Sequence, residues 1–255
     1  MTVTTTRDRT VLRARLRRHA ALHLYELGDL DDFFWPHTTW FVDGEGVALL
    51  YTPPGTAVLL AFAADDELAP LAALVDEIRD QLPAELYAHV SPPIVPVLAR
   101  RYEVSSGGVH DKMALADRSR LGDGGGASQL GPGDVDELVA FYARCYPGNW
   151  FDPRMLETRQ YFAIREAGAL VAAAGIHVYS ATERVAALGN IATAPEQRRR
   201  GLAARVTSAL CRSLLASVDQ IGLNVKATND AAISCYKQLG FVRVAAYEEL
   251  ALRRR

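Results

Sequence analysis

The chain has 255 residues, of which 49% are hydrophobic and 23% are charged, and its formal net charge is -2. This composition predicts one or two packed globular domains and excludes a disordered chain. The balanced charge gives no field that attracts nucleic acid or an anionic membrane, so neither is an expected partner. Three cysteines without a CxxC pair predict neither a zinc site nor a disulfide framework, so no metal is expected. No apolar run reaches membrane length and no signal-peptide pattern follows Met1, so we expect a soluble, cytoplasmic protein.

The first half of the chain predicts a succession of helices and strands. Hydrophobic spacing and turn residues place helices at 10–30, 66–81 and 94–101, up to three strands within 38–63, and strands at 86–90 and from 102 onward. Three consecutive glycines then occur within 121–128, which we interpret as a flexible linker. This linker divides the chain into two expected domains, residues 1–120 and residues 128–255.

The second half predicts the order helix, three strands, helix, strand, helix, strand. The helices are expected at 134–146, from about 201 and at 230–239, and the strands at 159–165, 169–179, 184–193, 221–225 and 241–252. This order indicates an α/β (α+β) fold in which helices flank a mixed sheet. Because the first half repeats the order loosely, with 86–90 in the place of 221–225, we expect two tandem domains of similar fold.

A basic turn containing glycine joins strand 184–193 to the long helix that follows. The strand ends at Pro195, and the helix begins near Gly201. Unpaired backbone N–H groups and the positive end of the helix dipole favour a phosphate or pyrophosphate at such a position. Arg198, Arg199 and Arg200 add positive charge to it. The alternative is a solvated basic turn with a bend at the glycine.

Two motifs in this half give a resemblance to a known family. The segment from Arg198 to Ala203, RRRGLA, resembles the (Q/R)-x-x-G-x-(G/A) signature of the GNAT superfamily of N-acetyltransferases. The segment from Asn229 to Phe241, NDAAISCYKQLGF, resembles the N-x-x-A-x-x-x-Y-x-x-x-G-F helix of the same family. The resemblance covers most of 128–255 and implies a GNAT-like domain there that uses acetyl-CoA or another acyl-CoA. Together with the loosely repeated order of elements in the first half, it implies two tandem GNAT-like domains. The run 190–241 is similar to the glycine N-acyltransferase-like branch.

The resemblance implies a role for each matching residue. The strand segment Ile191, Ala192 and Thr193 would lie beside the pantetheine arm of the cofactor. The pyrophosphate would be held by the turn residues Arg198, Arg199, Arg200, Gly201, Leu202 and Ala203. Asn229 would contact the cofactor arm, and Tyr236 would protonate the departing thiolate as a general acid. A core tyrosine is the alternative for Tyr236.

The residue that accepts the amine proton stays open at this point. Many family members carry a glutamate on the strand before the turn, whereas 184–193 contains no carboxylate. The remaining candidates are Glu183 at the strand start, His177 on the preceding strand, and a water relay. A histidine titrates near neutral pH, which suits proton transfer, although a single histidine on a strand is more often structural. Cys235 has no His/Asp partner pattern and is interpreted as a packing residue.

The first half lacks counterparts of both motifs. After 59–62 the sequence continues as AADDEL, whose carboxylates would repel a pyrophosphate, and 91–96 lacks the asparagine and the tyrosine. We therefore expect a degenerate GNAT-like domain without cofactor binding. An acidic and aromatic cluster in this half is either a site for a cationic amine or a helix end with core aromatics: Asp29, Asp31, Asp32, Trp35, His37 and Trp40.

The expected function is transfer of an acyl group, acetyl first of all, from an acyl-CoA to a primary amine of a small molecule. The enzyme would act as a monomer or a homodimer. Acetylation of a protein or peptide amine is one alternative, and a non-catalytic acyl-CoA sensor is another. The sequence identifies neither the acceptor nor the acyl chain length, because a fold does not specify a substrate.

Overall fold

A computed structural model describes residues 3–255 and divides them into two compact units. The first unit contains the described residues up to Lys112, together with Val225–Thr228 and Arg243–Arg255. The second contains Met113–Asn224 and Asn229–Val242. The division thus differs from the expected boundaries at 120 and 128, because the last strand belongs mainly to the first unit. Cofactor binding by 128–255 and a degenerate domain at 1–120 stay predictions.

Seven helices and twelve strands form the two units. The helices are α1 (Arg9–Leu16), α2 (Leu24–Gly28), α3 (Leu68–Ile78), α4 (Val95–Leu98), α5 (Val135–Cys145), α6 (Leu202–Leu214) and α7 (Asp230–Gln238). The strands are β1 (Thr4–Thr6), β2 (Thr38–Asp43), β3 (Gly46–Tyr51), β4 (Val58–Ala61), β5 (Glu85–Val90), β6 (Tyr102–Leu115), β7 (Ser128–Gln129), β8 (Phe162–Glu166), β9 (Ala169–Ser180), β10 (Val185–Thr193), β11 (Gln220–Lys226) and β12 (Phe241–Arg254). No helix among the described residues combines the length and the apolar character that a membrane span requires.

The first unit is built on strands in the order β1-β2-β3-β4-β5-β12-β6. β4 and β5 run parallel, whereas β12 pairs with β5 antiparallel from Glu248 opposite Val90 to Arg253 opposite Glu85. The α3 helix buries one apolar face against these strands, with Leu71, Leu74, Val75 and Ile78. A parallel pair of strands joined through a helix is the arrangement that the strand-helix-strand order predicts.

The second unit repeats this plan with strands in the order β11-β10-β9-β8-β7. Here β10 and β11 are parallel, and the other pairs are antiparallel. The α6 helix contacts β8, β9 and β10. Its buried face contains Leu202, Val206, Leu210 and Leu214, as their i, i+4 spacing predicts. The predicted mixed sheet flanked by helices is confirmed.

Two predicted elements have different bounds in the structure, and two short strands were not predicted. The helix expected at 10–30 is interrupted: α1 ends at Leu16, a 3-10 turn covers Arg17–His19, and α2 is a separate short helix. The strand expected at 159–165 begins only at Phe162, because Arg159 has a left-handed backbone with φ +58°. The very short strands β1 and β7 were not predicted, since two or three residues carry no readable alternation.

The glycine-rich segment 121–128 is an ordered part of the second unit, which corrects its interpretation as a flexible linker. The Gly122 N–H donates to Ser208 Oγ at 3.1 Å, and the Arg205 guanidinium donates from Nε to the Gly125 carbonyl at 2.8 Å. Both partners belong to α6. The glycines therefore allow the backbone to lie directly against the helix.

Four ionisable side chains are buried together in the first unit. His23 Nδ1 lies 2.9 Å from Glu26 Oε1, and Asp29 is buried nearby. The Lys112 ammonium lies 3.8 Å from the centroid of the Phe62 ring. Burial lowers the pKa of Lys112 to about 8, although the Glu26 carboxylate opposes the change. Burial also raises the pKa of Asp29 well above its usual range, and the charge of Glu26 adds to this.

Gly124→Ala is expected to destabilise the fold by about 1–3 kcal/mol, the usual cost of overpacking. A Cβ at this residue would lie 2.8 Å from Cα and Cβ of Ala209, and φ is +73°. Gly133→Ala is the matched control, since nothing lies within 4 Å of its Cβ position. Urea unfolding would measure both variants. A Gly124→Ala protein as stable as the control would contradict packing of this segment on α6.

Lys112→Met is expected to remove a pH dependence of stability between about pH 8 and 10.5. In this window the unfolded chain keeps a proton on Lys112 that the folded chain has released, because the folded pKa is about 8 and the ordinary value is 10.5. Stability of the wild type therefore rises with pH, by about 3 kcal/mol at most. Urea midpoints at pH 8 and 10.5 measure this, with the exposed Lys226→Met as control. Identical pH slopes in wild type and Lys112→Met would refute it.

Candidate functional site

The parallel strands β10 and β11 of the second unit separate halfway along their length. They pair from Val185 opposite Gln220 to Leu188 opposite Leu223, and the ladder ends there, although β10 continues to Thr193. Backbone groups of β10 beyond Leu188 therefore have no partner on β11. A ligand with amide groups can pair with such an edge as an added strand would.

A bulge in β10 lies at the start of this separation. The register with β9 shifts between Gly189, opposite Gly175, and Ala192, opposite Ala173, which leaves Asn190 and Ile191 unpaired. Asn190 has a left-handed backbone with φ +53°, a conformation that asparagine tolerates better than most residues. The bulge thus presents a peptide group with no ladder partner on either neighbouring strand of the described chain.

Two buried tyrosines hold this bulge. The Tyr142 hydroxyl donates to the Asn190 carbonyl at 2.7 Å. The Asn190 side-chain amide donates from Nδ2 to the Tyr161 hydroxyl at 3.2 Å, and that hydroxyl donates to the Ile176 carbonyl at 2.9 Å. Burial raises the pKa of both tyrosines, so each hydroxyl keeps its proton and stays a donor. The sequence analysis did not find this network, because nothing local to α5 or β8 marks these tyrosines.

The turn after β10 exposes a set of unpaired N–H groups. Within residues 3–255, the N–H groups of residues 199–204 donate to no acceptor, and the first N–H of α6 that donates is that of Arg205, to the Gly201 carbonyl at 3.1 Å. Arg199 and Gly201 have positive φ angles of 64° and 74°. A Cβ at Gly201 would meet nothing within 4 Å, so the space beside this backbone is open. These features together form an anion-binding cradle.

The three arginines of the turn are not equivalent. The Arg200 guanidinium donates to Glu166 at 2.8 Å and also to Gln197, so it is held against the end of β8. Arg198 and Arg199 are exposed to solvent. The expectation that all three add charge at the turn is therefore met only by Arg198 and Arg199, since Glu166 neutralises Arg200.

The second motif lies on α7. The Asn229 side chain accepts the N–H of Ala232 at 3.2 Å and so caps the helix, which leaves its amide nitrogen for other contacts. Tyr236 is the buried residue of this helix, and its ring lies 6.0 Å from that of Phe241. Burial raises the pKa of Tyr236, with smaller contributions from Cys235 and Tyr146. Its hydroxyl forms no hydrogen bond with any of the described residues.

His177 lies beside the bulge, whereas Glu183 does not. The imidazole of His177 fills the place where a Cβ on Gly189 would stand. Burial lowers the pKa of His177 to about 4, so the ring is neutral at pH 7. Glu183 is buried in the turn between β9 and β10, where its N–H donates to Ser180 Oγ at 3.0 Å. Glu183 lies before the start of this strand at Val185, and the extended strand from there to Asn190 is about 17 Å long, so the prediction that Glu183 acts as the base is corrected.

An aromatic loop after α5 completes the surroundings and was missed by the sequence analysis. The Phe151 ring lies 5.4 Å from that of Tyr142 and 5.6 Å from that of Tyr161. Tyr146 influences the titration of Tyr236 and is 44% exposed, and Trp150 is 65% exposed. The density of aromatic residues just after the predicted helix 134–146 was the available signal for this loop.

The acidic and aromatic cluster of the first unit binds the chain's own cations. The guanidinium groups of Arg7 and Arg9 lie 4.5 and 4.4 Å from the Trp35 ring, and Arg9 pairs with Asp32 at 2.6 Å. Trp40 is buried and donates to Thr38 Oγ1. Of the two alternatives for this cluster, the structure favours a helix end with aromatic residues, in which arginines of the same chain contact the rings.

The carboxyl ends of β4 and β5 in the first unit do not separate as those of β10 and β11 do. Their pairing reaches Ala61 opposite Val90, and the Ala63 N–H then donates to Ser91 Oγ at 3.2 Å. A groove of about 710 Å³ begins beyond this closure and is lined mainly by alanine, leucine, proline and valine. Its charged lining residues are Asp65 and Arg18.

Comparisons with known proteins agree with this geometry. Residues 135–241 match the model of the acetyltransferase (GNAT) family. No curated protein sequence matches the chain. Among solved structures, a GNAT-family acetyltransferase from Novosphingobium aromaticivorans is similar over 92% of this chain and 98% of its own, with a TM-score of 0.61 and 20% identity.

Two further structures extend this likeness. A protein from Drosophila melanogaster has a TM-score of 0.72 at 12% identity and 98% coverage of both chains. A GCN5-related N-acetyltransferase from Kribbella flavida has a TM-score of 0.60 at 17% identity, with 92% of this chain and 94% of its own covered. At such identities the likeness shows the fold alone. The chain thus has the mixed α/β fold of GNAT proteins, and its match to the model of the acetyltransferase (GNAT) family covers residues 135–241.

Proposed function

We propose that this protein transfers an acetyl group from acetyl-CoA to the primary amine of a small molecule. The observation that carries the proposal is the separation of β10 from β11 directly before a turn whose N–H groups, 199–204, are unpaired. A long ligand with an anionic end and an amide-containing arm fits these two features in sequence. The family of residues 135–241 supports the same reaction class.

The residues present fit acetyl-CoA at each part of its length. The cradle formed by Arg199, Gly201 and the first turn of α6 would hold the pyrophosphate, with Arg198 adding charge. The free edge of β10 at residues 191–193 would pair with the amides of the pantetheine arm. Asn229 retains its amide nitrogen as a donor at the start of α7. Gly201 leaves room for the phosphates because no side chain fills the space.

When bound, acetyl-CoA supplies an activated thioester carbonyl. The nitrogen of the acceptor amine forms a bond to that carbonyl carbon, and the bond from carbon to sulfur breaks. The N–H of Ile191, a residue without a partner in the ladder with β9, would stabilise the negative charge that develops on the carbonyl oxygen. Tyr236 would give its proton to the thiolate. Its raised pKa keeps the hydroxyl protonated, which a general acid requires.

The proton of the amine would pass to His177, directly or through a water molecule. His177 lies against Gly189 at the bulge, and its pKa of about 4 leaves it unprotonated and able to accept at neutral pH. Such a low pKa makes it a weak base, which favours a water between the amine and the ring. Glu183 has no part in this proposal because it lies at the far end of β10.

We further propose that the acceptor binds against the aromatic loop of Tyr146, Trp150 and Phe151. The Phe151 ring packs against both bulge tyrosines, and the exposed Trp150 and Tyr146 offer apolar area to a small molecule. A small acceptor is therefore preferred here to a peptide. The proposal has three further parts. Residues 190–241 are similar to the glycine N-acyltransferase-like branch, the protein acts in the cytoplasm as a monomer or homodimer, and the first unit does not bind CoA.

The acidic turn of the first unit supports the last of these statements. Asp65, Asp66 and Glu67 occupy the start of α3, where the second unit has its basic turn. The closed strand ends and the negative charge would both disfavour a pyrophosphate. The first unit is accordingly proposed to be a degenerate GNAT-like domain that contributes no cofactor site.

Gly201→Glu is expected to abolish binding of acetyl-CoA, because a carboxylate would stand against the pyrophosphate. Gly201→Gln is the matched control, since it has the same size and the same positive φ without the charge. We expect the Glu variant to bind at least about tenfold more weakly than the Gln variant. Calorimetric titration with acetyl-CoA measures both. Equal affinities in the two variants would argue against a pyrophosphate at this turn.

Tyr236→Phe is expected to lower kcat by about 10²–10⁴-fold, the usual contribution of a general acid. The hydroxyl has no hydrogen-bond partner among the described residues, so its removal leaves stability and acetyl-CoA affinity nearly unchanged. Release of free thiol measures turnover, and Cys235→Ala serves as the control with full activity. Wild-type protein that binds acetyl-CoA without any turnover would instead support the sensor function.

A further inference from the structure

The peptide group that joins Asn190 to Ile191 is bound through its carbonyl by a side chain and not by a neighbouring strand. Its carbonyl accepts the Tyr142 hydroxyl at 2.7 Å, and neither Asn190 nor Ile191 has a partner in the ladder with β9. The pairing of β10 with β11 has already ended at Leu188. The orientation of this peptide therefore does not come from the sheet, unlike that of its neighbours along β10.

The two polar groups of one peptide have a fixed relation. A trans peptide is planar, so its carbonyl and its N–H point in opposite directions, and the described chain contains no cis peptide bonds. A hydrogen bond to the Asn190 carbonyl consequently sets the direction of the Ile191 N–H. That N–H therefore points away from Tyr142, and Ile191 has no partner in the ladder of β10 with β9 or β11.

We propose that Tyr142 is a positioning residue that aims the Ile191 N–H at the carbonyl oxygen of the acyl group. The inference rests on the proposed function and adds a residue outside both sequence motifs. Tyr142 does not touch the reacting atoms. It acts through the peptide whose carbonyl it binds, and so it stabilises charge on the substrate oxygen indirectly.

The surroundings of Tyr142 are built to hold its hydroxyl in place. The side chain is 2% exposed, and its ring packs against Phe141 at 5.6 Å and Phe151 at 5.4 Å between centroids. Burial raises its pKa, so the hydroxyl stays a donor throughout the working pH range. A second brace acts on the same residue from its side chain, because Asn190 Nδ2 donates to Tyr161. The positive φ of Asn190 is thus supported from two sides.

Tyr142→Phe removes the hydrogen bond and keeps the ring. The donor N–H remains but loses its fixed direction, so we expect kcat to fall by about 10- to 100-fold, less than or equal to the loss of a whole oxyanion donor. The affinity for acetyl-CoA is expected to stay within about twofold, because the cradle at Gly201 is untouched. Tyr102→Phe is the matched control. Tyr102 is fully buried, and its hydroxyl donates to the Pro83 carbonyl at 2.9 Å in the first unit.

Isotope-edited infrared spectroscopy gives a readout that does not depend on turnover. The C=O stretch of bound [1-¹³C]acetyl-CoA is expected to lie below that of the free compound in wild type and in Tyr102→Phe. In Tyr142→Phe it is expected to return toward the free value. Asn190→Gly keeps the peptide, the positive φ and the bond from Tyr142, so most of the shift should remain.

Two results would overturn the inference while the proposed function stands. One is a wild-type kcat and C=O shift in Tyr142→Phe. The other is a fall in kcat with an equal loss of acetyl-CoA affinity and of thermal stability, which indicates a general packing defect. A wild-type protein that does not bind acetyl-CoA would refute the proposed function itself, and this outcome is distinguishable from both.

Discussion

The early end of the pairing between β10 and β11 is the constraint on which the site depends. Backbone N–H and carbonyl groups within a sheet normally satisfy one another, and an unpaired group away from water is costly. Beyond Leu188 the groups of β10 have neither β11 nor, at the bulge, β9 as partner. They are available to a ligand that presents its own amides. The first unit shows the contrast, since β4 and β5 stay paired and Ser91 closes their ends.

The electrostatics of the second unit follow from the same geometry. A strand that leaves the sheet and turns into α6 puts unpaired N–H groups at the positive end of a helix, and two positive φ angles aim several of them together. Glu166 pairs with Arg200 and neutralises its charge. The backbone N–H groups therefore contribute more of the positive potential of this cradle than the run of three arginines implies. Tyr236 and His177 are both kept neutral by burial, which suits proton donation by the first and acceptance by the second.

The first unit has a different chemistry on a related plan. An acidic turn follows the ends of its parallel strands, and Arg7 and Arg9 contact the Trp35 ring of its aromatic cluster. In its interior, Lys112 lies beside Phe62 and interacts with the charge of Glu26. Buried ionisable groups of this kind cost stability unless partners offset the loss of water. The aromatic rings and the opposite charges provide that compensation. The unit is therefore well packed, and its parallel strands β4 and β5 stay paired up to Ala61 and Val90.

The sequence was sufficient for the features that arise within a short stretch of chain. The helical spacing in α6, the turn before Gly201 and the helix that contains Tyr236 all follow from neighbours three or four residues apart. It misjudged the segment 121–128, because glycines that permit close packing on Ala209 are indistinguishable from those of a loose linker. Only the tertiary structure decided that Glu183 is remote, that His177 lies on Gly189, and that Tyr142 binds the Asn190 carbonyl across 48 positions. Contacts between distant segments depend on sheet register and bulges, and a one-residue change in register moves every side chain to the opposite face.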